Sequence, residues 1–212
     1  KKRMEALSPD IVIGMKYLYS NMPYSDVGNY TFDTYLDYVQ QGIYLWENSP
    51  YVKNYPELYF LNYVLFHRTN DEEIKPCRTY FWKKIKDKVQ GKAMVEAALE
   101  INHWCAGEVM YQGTDMRTGS ALEIYRSGVG RCGEEAVFVV NVMRSAGIPA
   151  RPVYVPRWSH CDDNHAWVEV WCDGDWHYLG ACEPEAVLDK GWFTNAASRA
   201  MMIGSRWYDR AM

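Results

Sequence analysis

The sequence predicts an α+β fold, and three observations predict it. A long apolar stretch at helical spacing follows Cys132, an alternating run follows His165, and the tight-turn pair Asp173-Gly174 joins that run to a second strand-like segment. With 212 residues, 48% of them hydrophobic, the chain can bury one good core and a small accessory lobe.

The helix is bounded on both sides. Gly128 and Gly130 break what precedes, and from Glu134 onward Ala136, Val137, Val140, Met143 and Ala146 recur at helical intervals until Gly147 and Pro149 stop them. Cys132 therefore falls in the first turn or just before it. Unpaired backbone N–H groups and the helix dipole favour an anion there, so a thiolate is expected to form more easily than in a free cysteine. Gly133 leaves the far side of the sulfur open to a carbonyl. On these residues alone, a buried structural cysteine after a glycine turn is an equal reading.

The histidine segment changes that balance. His165, Trp167, Glu169 and Trp171 share one face of a strand, and a two-residue Asp-Gly turn sets the register of the return. That register brings His165 opposite Cys182 and Trp167 opposite Gly180. A cysteine at a helix start and a histidine at a strand mouth, behind the polar Asp162-Asp163-Asn164, are the parts of a nucleophile and its base.

The segments G-R-C-G-E-E-A-V-F-V-V-N-V-M-R-S-A-G-I-P-A-R, N-H-A-W-V-E-V-W and W-H-Y-L-G-A-C-E-P, in that order, resemble the core of the transglutaminase-like superfamily. The resemblance runs from about Ala93 to about Phe193. It implies a papain-like transglutaminase core, with the cysteine-bearing helix packed on an antiparallel β-sheet. Cys132 would be the nucleophile and His165 the base, in chemistry that needs no metal or other cofactor. The chain departs from the family at the third member, because Gly180 stands where an aspartate usually orients the imidazole. Glu183, just before Pro184, is the nearest acid. It reaches His165 only if the strand bends, since unbroken alternation points it away; a capping or salt-bridge role is the other reading.

An acyl-transfer site also needs donors for the oxyanion. The Cys132 N–H is one, and Gln112 and Trp104 are candidates for a second. Upstream, residues 1–91 are expected to form an aromatic-rich helical lobe, with apolar residues at helical intervals in Phe32 to Trp46 and Pro56 to Phe66. Its rings are expected mainly to pack, the sharper reading being a groove for an extended polymer. Gln90-Gly91 marks the junction, and residues 92–212 form the expected catalytic core. Ser120 to Glu123 reads as a capping box. The last segment, Gly191 to Met212, carries Trp192, Phe193 and Trp207, too much apolar surface for a free tail. It is expected to fold back over the core or to meet a further domain of a longer parent chain.

Composition removes other classes. The net charge of −4, with only the short run Lys83-Lys84-Ile85-Lys86 as a basic cluster inside the chain, argues against a nucleic-acid surface. No apolar stretch approaches the roughly 20 residues that span a bilayer. The six cysteines follow no zinc-finger or C-x-x-C spacing, and His160, Cys161, Asp162 and Asp163 with His165 are not expected to hold a metal. The chain begins at Lys1, so a leader removed or left out, and a secreted or periplasmic location for a bacterial protein, are expected. The function expected is a cysteine hydrolase, a peptidase or amidase rather than a crosslinker, acting on a peptide, protein or glycopeptide through an acyl-thioester. The alternative is a catalytically degenerate module that binds peptide or glycan.

Overall fold

The computed structural model describes residues 4–206 and Tyr208. Helices come first: α1 (Pro9–Asn21), opened by its proline, then α2 (Tyr24–Asn29) and α3 (Phe32–Asn48). The Thr31 hydroxyl accepts the N–H of Thr34 to start α3, whose Tyr35, Tyr38, Val39 and Leu45 turn inward. A short α4 (Glu57–Phe60) runs on as a π-turn over Leu61–Leu65, followed by α5 (Arg78–Val89) and α6 (Met94–Glu108).

The second half mixes strands and helices. β1 (Met110–Tyr111) pairs in parallel with β2 (Val129–Gly130), and α7 (Ala121–Ser127) lies between them. The expected capping box starts α7, with Ser120 and Glu123 exchanging hydrogen bonds, and Gly128 at φ 71° ends it. Then come α8 (Cys132–Ser145), β3 (Ala150–Val155), β4 (His165–Cys172), β5 (Asp175–Leu179) and a last turn, α9 (Thr194–Ala197). The three long strands form one antiparallel sheet in the order β3-β4-β5. Asp173 and Gly174 both take positive φ, as the tight hairpin turn requires, and Cys172 pairs with Asp175 and Val168 with Leu179.

The helix of the cysteine is the centre of the molecule. Residues Glu134 through Ser145 are all buried, with α5, α6 and α7 around α8 and the sheet beneath it through Ala166, Val168 and Val170. Two buried arginines join the first half of the chain to this helix. Arg144 donates to the carbonyls of Phe66, Arg68 and Ala150, and Arg78 donates to those of Val64 and Phe66 and to the Asn141 side chain. Carbonyls released by the π-turn and the loop after it thus find partners without meeting water. One apolar cluster accordingly runs from Met15 to Ala181, across the Gln90-Gly91 turn.

The other face of the sheet is covered in two places. At its far end Tyr59 and Tyr63 pack on Trp171 and Trp176, with the Arg151 guanidinium 4.0 Å from the Trp176 ring. At its near end Trp158 and Phe193 cover Trp167 and His165. The end of the chain folds back on the body: Tyr154 and Gly204 exchange both backbone hydrogen bonds along the β3 edge, and Tyr208 stacks on Phe66. Trp207 lies outside the described residues.

Candidate active site

Cys132 is the first residue of α8, as the glycines before it require. The start of this helix is held from outside by Glu134, which accepts the N–H groups of Arg131 and Gly119 and the hydroxyl of Thr114. The Arg131 side chain donates to Thr114 and to the Arg117 carbonyl, so the 114–119 loop is tied to the cysteine turn.

β4 meets that turn at its open end. β5 stops at Leu179, opposite Val168, so among the described residues the first residues of β4 have no paired strand on that side. The backbone N–H groups of Ala166, on β4, and of Gly133, within the helix, lie near enough to the Cys132 sulfur to favour its thiolate. The thiol therefore lies close to the residue next to His165. Ala166 faces α8, while the His165 ring stands on the opposite face of β4 among Trp158, Trp167, Trp192 and Phe193. The small side chain of Ala166 lets the helix start come this close.

His165 is only 6% exposed, and its Nε2 is buried with no hydrogen-bond partner among the described residues. Burial pushes the imidazole pKa down to about 4, against a small opposing pull from Asp163. The thiol departs from expectation. Burial raises the Cys132 pKa above its ordinary value, Glu135 adds to the rise, and the Ala166 and Gly133 N–H groups and Arg131 pull the other way without reversing it. The helix start does favour the thiolate, but desolvation is the larger effect, so the resting pair is thiol and neutral imidazole.

Glu183 arrives by a bend in the chain rather than along a strand. After Leu179 the chain turns back on itself, with the Glu183 N–H donating to the Gly180 carbonyl and Cys182 at φ 56°. Asn102 on α6 clamps this turn: its amide donates to the Gly180 carbonyl and accepts the Cys182 N–H. Both Glu183 oxygens accept from Trp192 Nε1 at 3.0 Å, and the Trp192 ring lies 4.7 Å from that of His165. The expected Glu183 to His165 bond is thus replaced by a contact through the indole. A Cβ added at Gly180 would lie 2.5 Å from Glu183 Oε2 and 2.8 Å from its Cβ. The glutamate fills the space that a side chain at position 180 would take.

A second carboxyl stands close by. Glu135, buried in the first turn of α8, is pushed up to about 8 by burial and by Glu183 and Glu134. Of the upstream candidates, Gln112 is exposed and donates its backbone N–H to the Gly130 carbonyl, two residues before Cys132. Trp104 packs against Tyr125 and Phe138 in an aromatic seam between helices. Sequence reasoning missed the roles of Asn102, Glu135 and Trp192. The one available signal was an asparagine among the inward positions Ala98, Ile101 and Cys105 of α6.

With this geometry in place, residues 83–181 match the family model of the transglutaminase-like superfamily. Over this stretch the chain is similar to a transglutaminase-like core. The match takes in α6, the cysteine helix and the whole antiparallel sheet, in keeping with the α+β fold read from the sequence. Among solved structures, a "putative cysteine protease" from Cytophaga hutchinsonii is similar at 20% identity and TM-score 0.41, over 64% of this chain and 52% of that one. A red sea bream transglutaminase is similar at 16% identity and TM-score 0.37, over 84% of this chain and 32% of that one. The chain spans about half the length of the first and about a third of the second. A comparison with curated proteins finds no match. The match to the family model supports a cysteine enzyme in general terms, with no choice between hydrolysis and crosslinking.

Proposed function

We propose that this transglutaminase-like core is a cysteine hydrolase that cleaves an amide bond of a peptide, protein or glycopeptide through an acyl-thioester. The observation that carries the reading is the packing of α8 on β4, which sets the Cys132 sulfur close to the Ala166 backbone, next to His165 in the chain. In the reaction the His165 ring, brought round the end of β4 to the sulfur, takes the Sγ proton, and the thiolate attacks the amide carbonyl carbon. The C–N bond then breaks, the amine leaves with the proton from the imidazolium, and an acyl group remains on sulfur. Water attacks the thioester carbonyl, the acid leaves and the thiol re-forms. The Cys132 N–H is the expected oxyanion donor, with Gln112 the better placed of the two second candidates.

Glu183 is the proposed orienting acid. Its carboxylate fills the space above Gly180, where the family usually carries its aspartate, and this supports a transposed acid rather than a lost one. The orphaned His165 Nε2 is the observation that favours the second reading, a degenerate module that binds peptide or glycan. p-Nitrophenyl acetate separates them. The enzyme reading expects a burst of nitrophenol and an acetyl group on Cys132 by peptide mass spectrometry, both lost in Cys132→Ala and strongly reduced in His165→Ala. Absence of acetylation in the wild type favours the binding module. Adding a primary amine then decides the outcome of the thioester: unchanged turnover to free acetate supports hydrolysis, and capture by the amine supports transfer.

A further inference from the structure

We infer that Trp192 is a positioning residue of this site that competes with His165 for the Glu183 carboxylate and yields it when substrate meets the indole. The inference rests on the Cys132–His165–Glu183 reading above. The imidazole has a buried ring nitrogen with no partner among the described residues, while an acid one indole away spends both its oxygens on a single N–H. A carboxylate can accept several hydrogen bonds, and a buried polar atom left without one is costly, so the arrangement holds back a contact that would otherwise form.

The placement of Trp192 suits such a gate. Its side chain is 62% exposed, although the next residue, Phe193, is 1% exposed and packs on Trp167 and His165. Thr194 donates its hydroxyl to the Gly191 carbonyl and pairs with the Tyr178 hydroxyl. The backbone around the indole is thereby held while the indole itself lies at the surface. Rotation of one side chain removes its N–H from Glu183 without disturbing the core. The same exposed ring stands over the histidine, 4.7 Å away; in this proposal it is the surface that a substrate entering beside His165 meets first. Binding thus moves the indole, and the carboxylate passes to Nε2.

The test is the rate of Cys132 alkylation by iodoacetamide, followed by peptide mass spectrometry near pH 7 in the wild type, Trp192→Phe, Glu183→Gln, the double variant and His165→Ala. Iodoacetamide is too small to need the indole moved, and Trp192→Phe keeps a ring over His165 while removing the N–H. Trp192→Phe is expected to raise the Cys132 rate by up to about tenfold, the effect of one pKa unit in the imidazole. The rise should vanish in the double variant, because it acts through the carboxylate. A Trp192→Phe rate equal to or below the wild type overturns the inference, as does a rise that persists with Glu183→Gln, which would mean that the indole merely screens the sulfur. Failure of the underlying reading has a different signature, a His165→Ala rate equal to that of the wild type.

Discussion

At the residue scale the site is a contest between burial and local charge. The N–H groups around the Cys132 sulfur favour a thiolate, yet burial holds both the thiol and the imidazole neutral, so activation depends on what reaches His165. Glu183 is the group proposed to do so. Glu183→Gln is expected to keep the fold and to cut turnover of the ester probe by about two to four orders of magnitude, the range seen when a triad acid is neutralised. Unchanged turnover would assign the carboxylate to holding Trp192 alone. The cysteine and histidine were legible in the sequence because glycines, apolar spacing and strand alternation mark a helix start and a strand mouth. The thiol's shift was not, because it depends on burial that only the packed molecule sets.

At the element scale the turn after β5 decides where the acid goes. The hairpin register was legible, since Asp173-Gly174 fixes the pairing through Leu179, but the bend beyond it was not. That bend is held by Asn102, far away in sequence, and by Cys182 in a left-handed conformation that few non-glycine residues adopt. Because Glu183 occupies the space of a side chain at position 180, the two acids should be interchangeable only as a pair. Gly180→Asp alone is expected to displace Glu183 and lower activity, whereas Gly180→Asp with Glu183→Ala should recover activity relative to Glu183→Ala. Ester turnover of the three variants checks this. No recovery in the pair would mean that position 180 does not face the imidazole.

At the scale of the whole molecule, the fold puts a helix with several polar residues at its centre and accepts the electrostatic cost. Glu135 titrates near 8 in the folded chain against an ordinary value of 4.5, so its stabilising contribution is full below pH 4.5 and is lost as pH rises through 8. His165 and the buried His67, both pushed down to about 4 from 6.5, act oppositely, and stability falls as pH drops from 6.5 toward 4. Thermal melts should show Glu135→Gln close to the wild type near pH 5 and more stable by over about 1 kcal/mol at pH 9. Equal stability at pH 9 would mean that the carboxyl ionises freely in the fold. The central claim is that this packing joins a thiol on α8 to an imidazole on β4 as one reactive unit. Its most direct measurement is the pH dependence of iodoacetamide labelling at Cys132, with exposed Cys161 of the same molecule as the internal reference, in the wild type and in His165→Ala. The account predicts that His165→Ala lowers the Cys132 rate several-fold at neutral pH and leaves Cys161 unchanged; identical Cys132 profiles in the two proteins would contradict it.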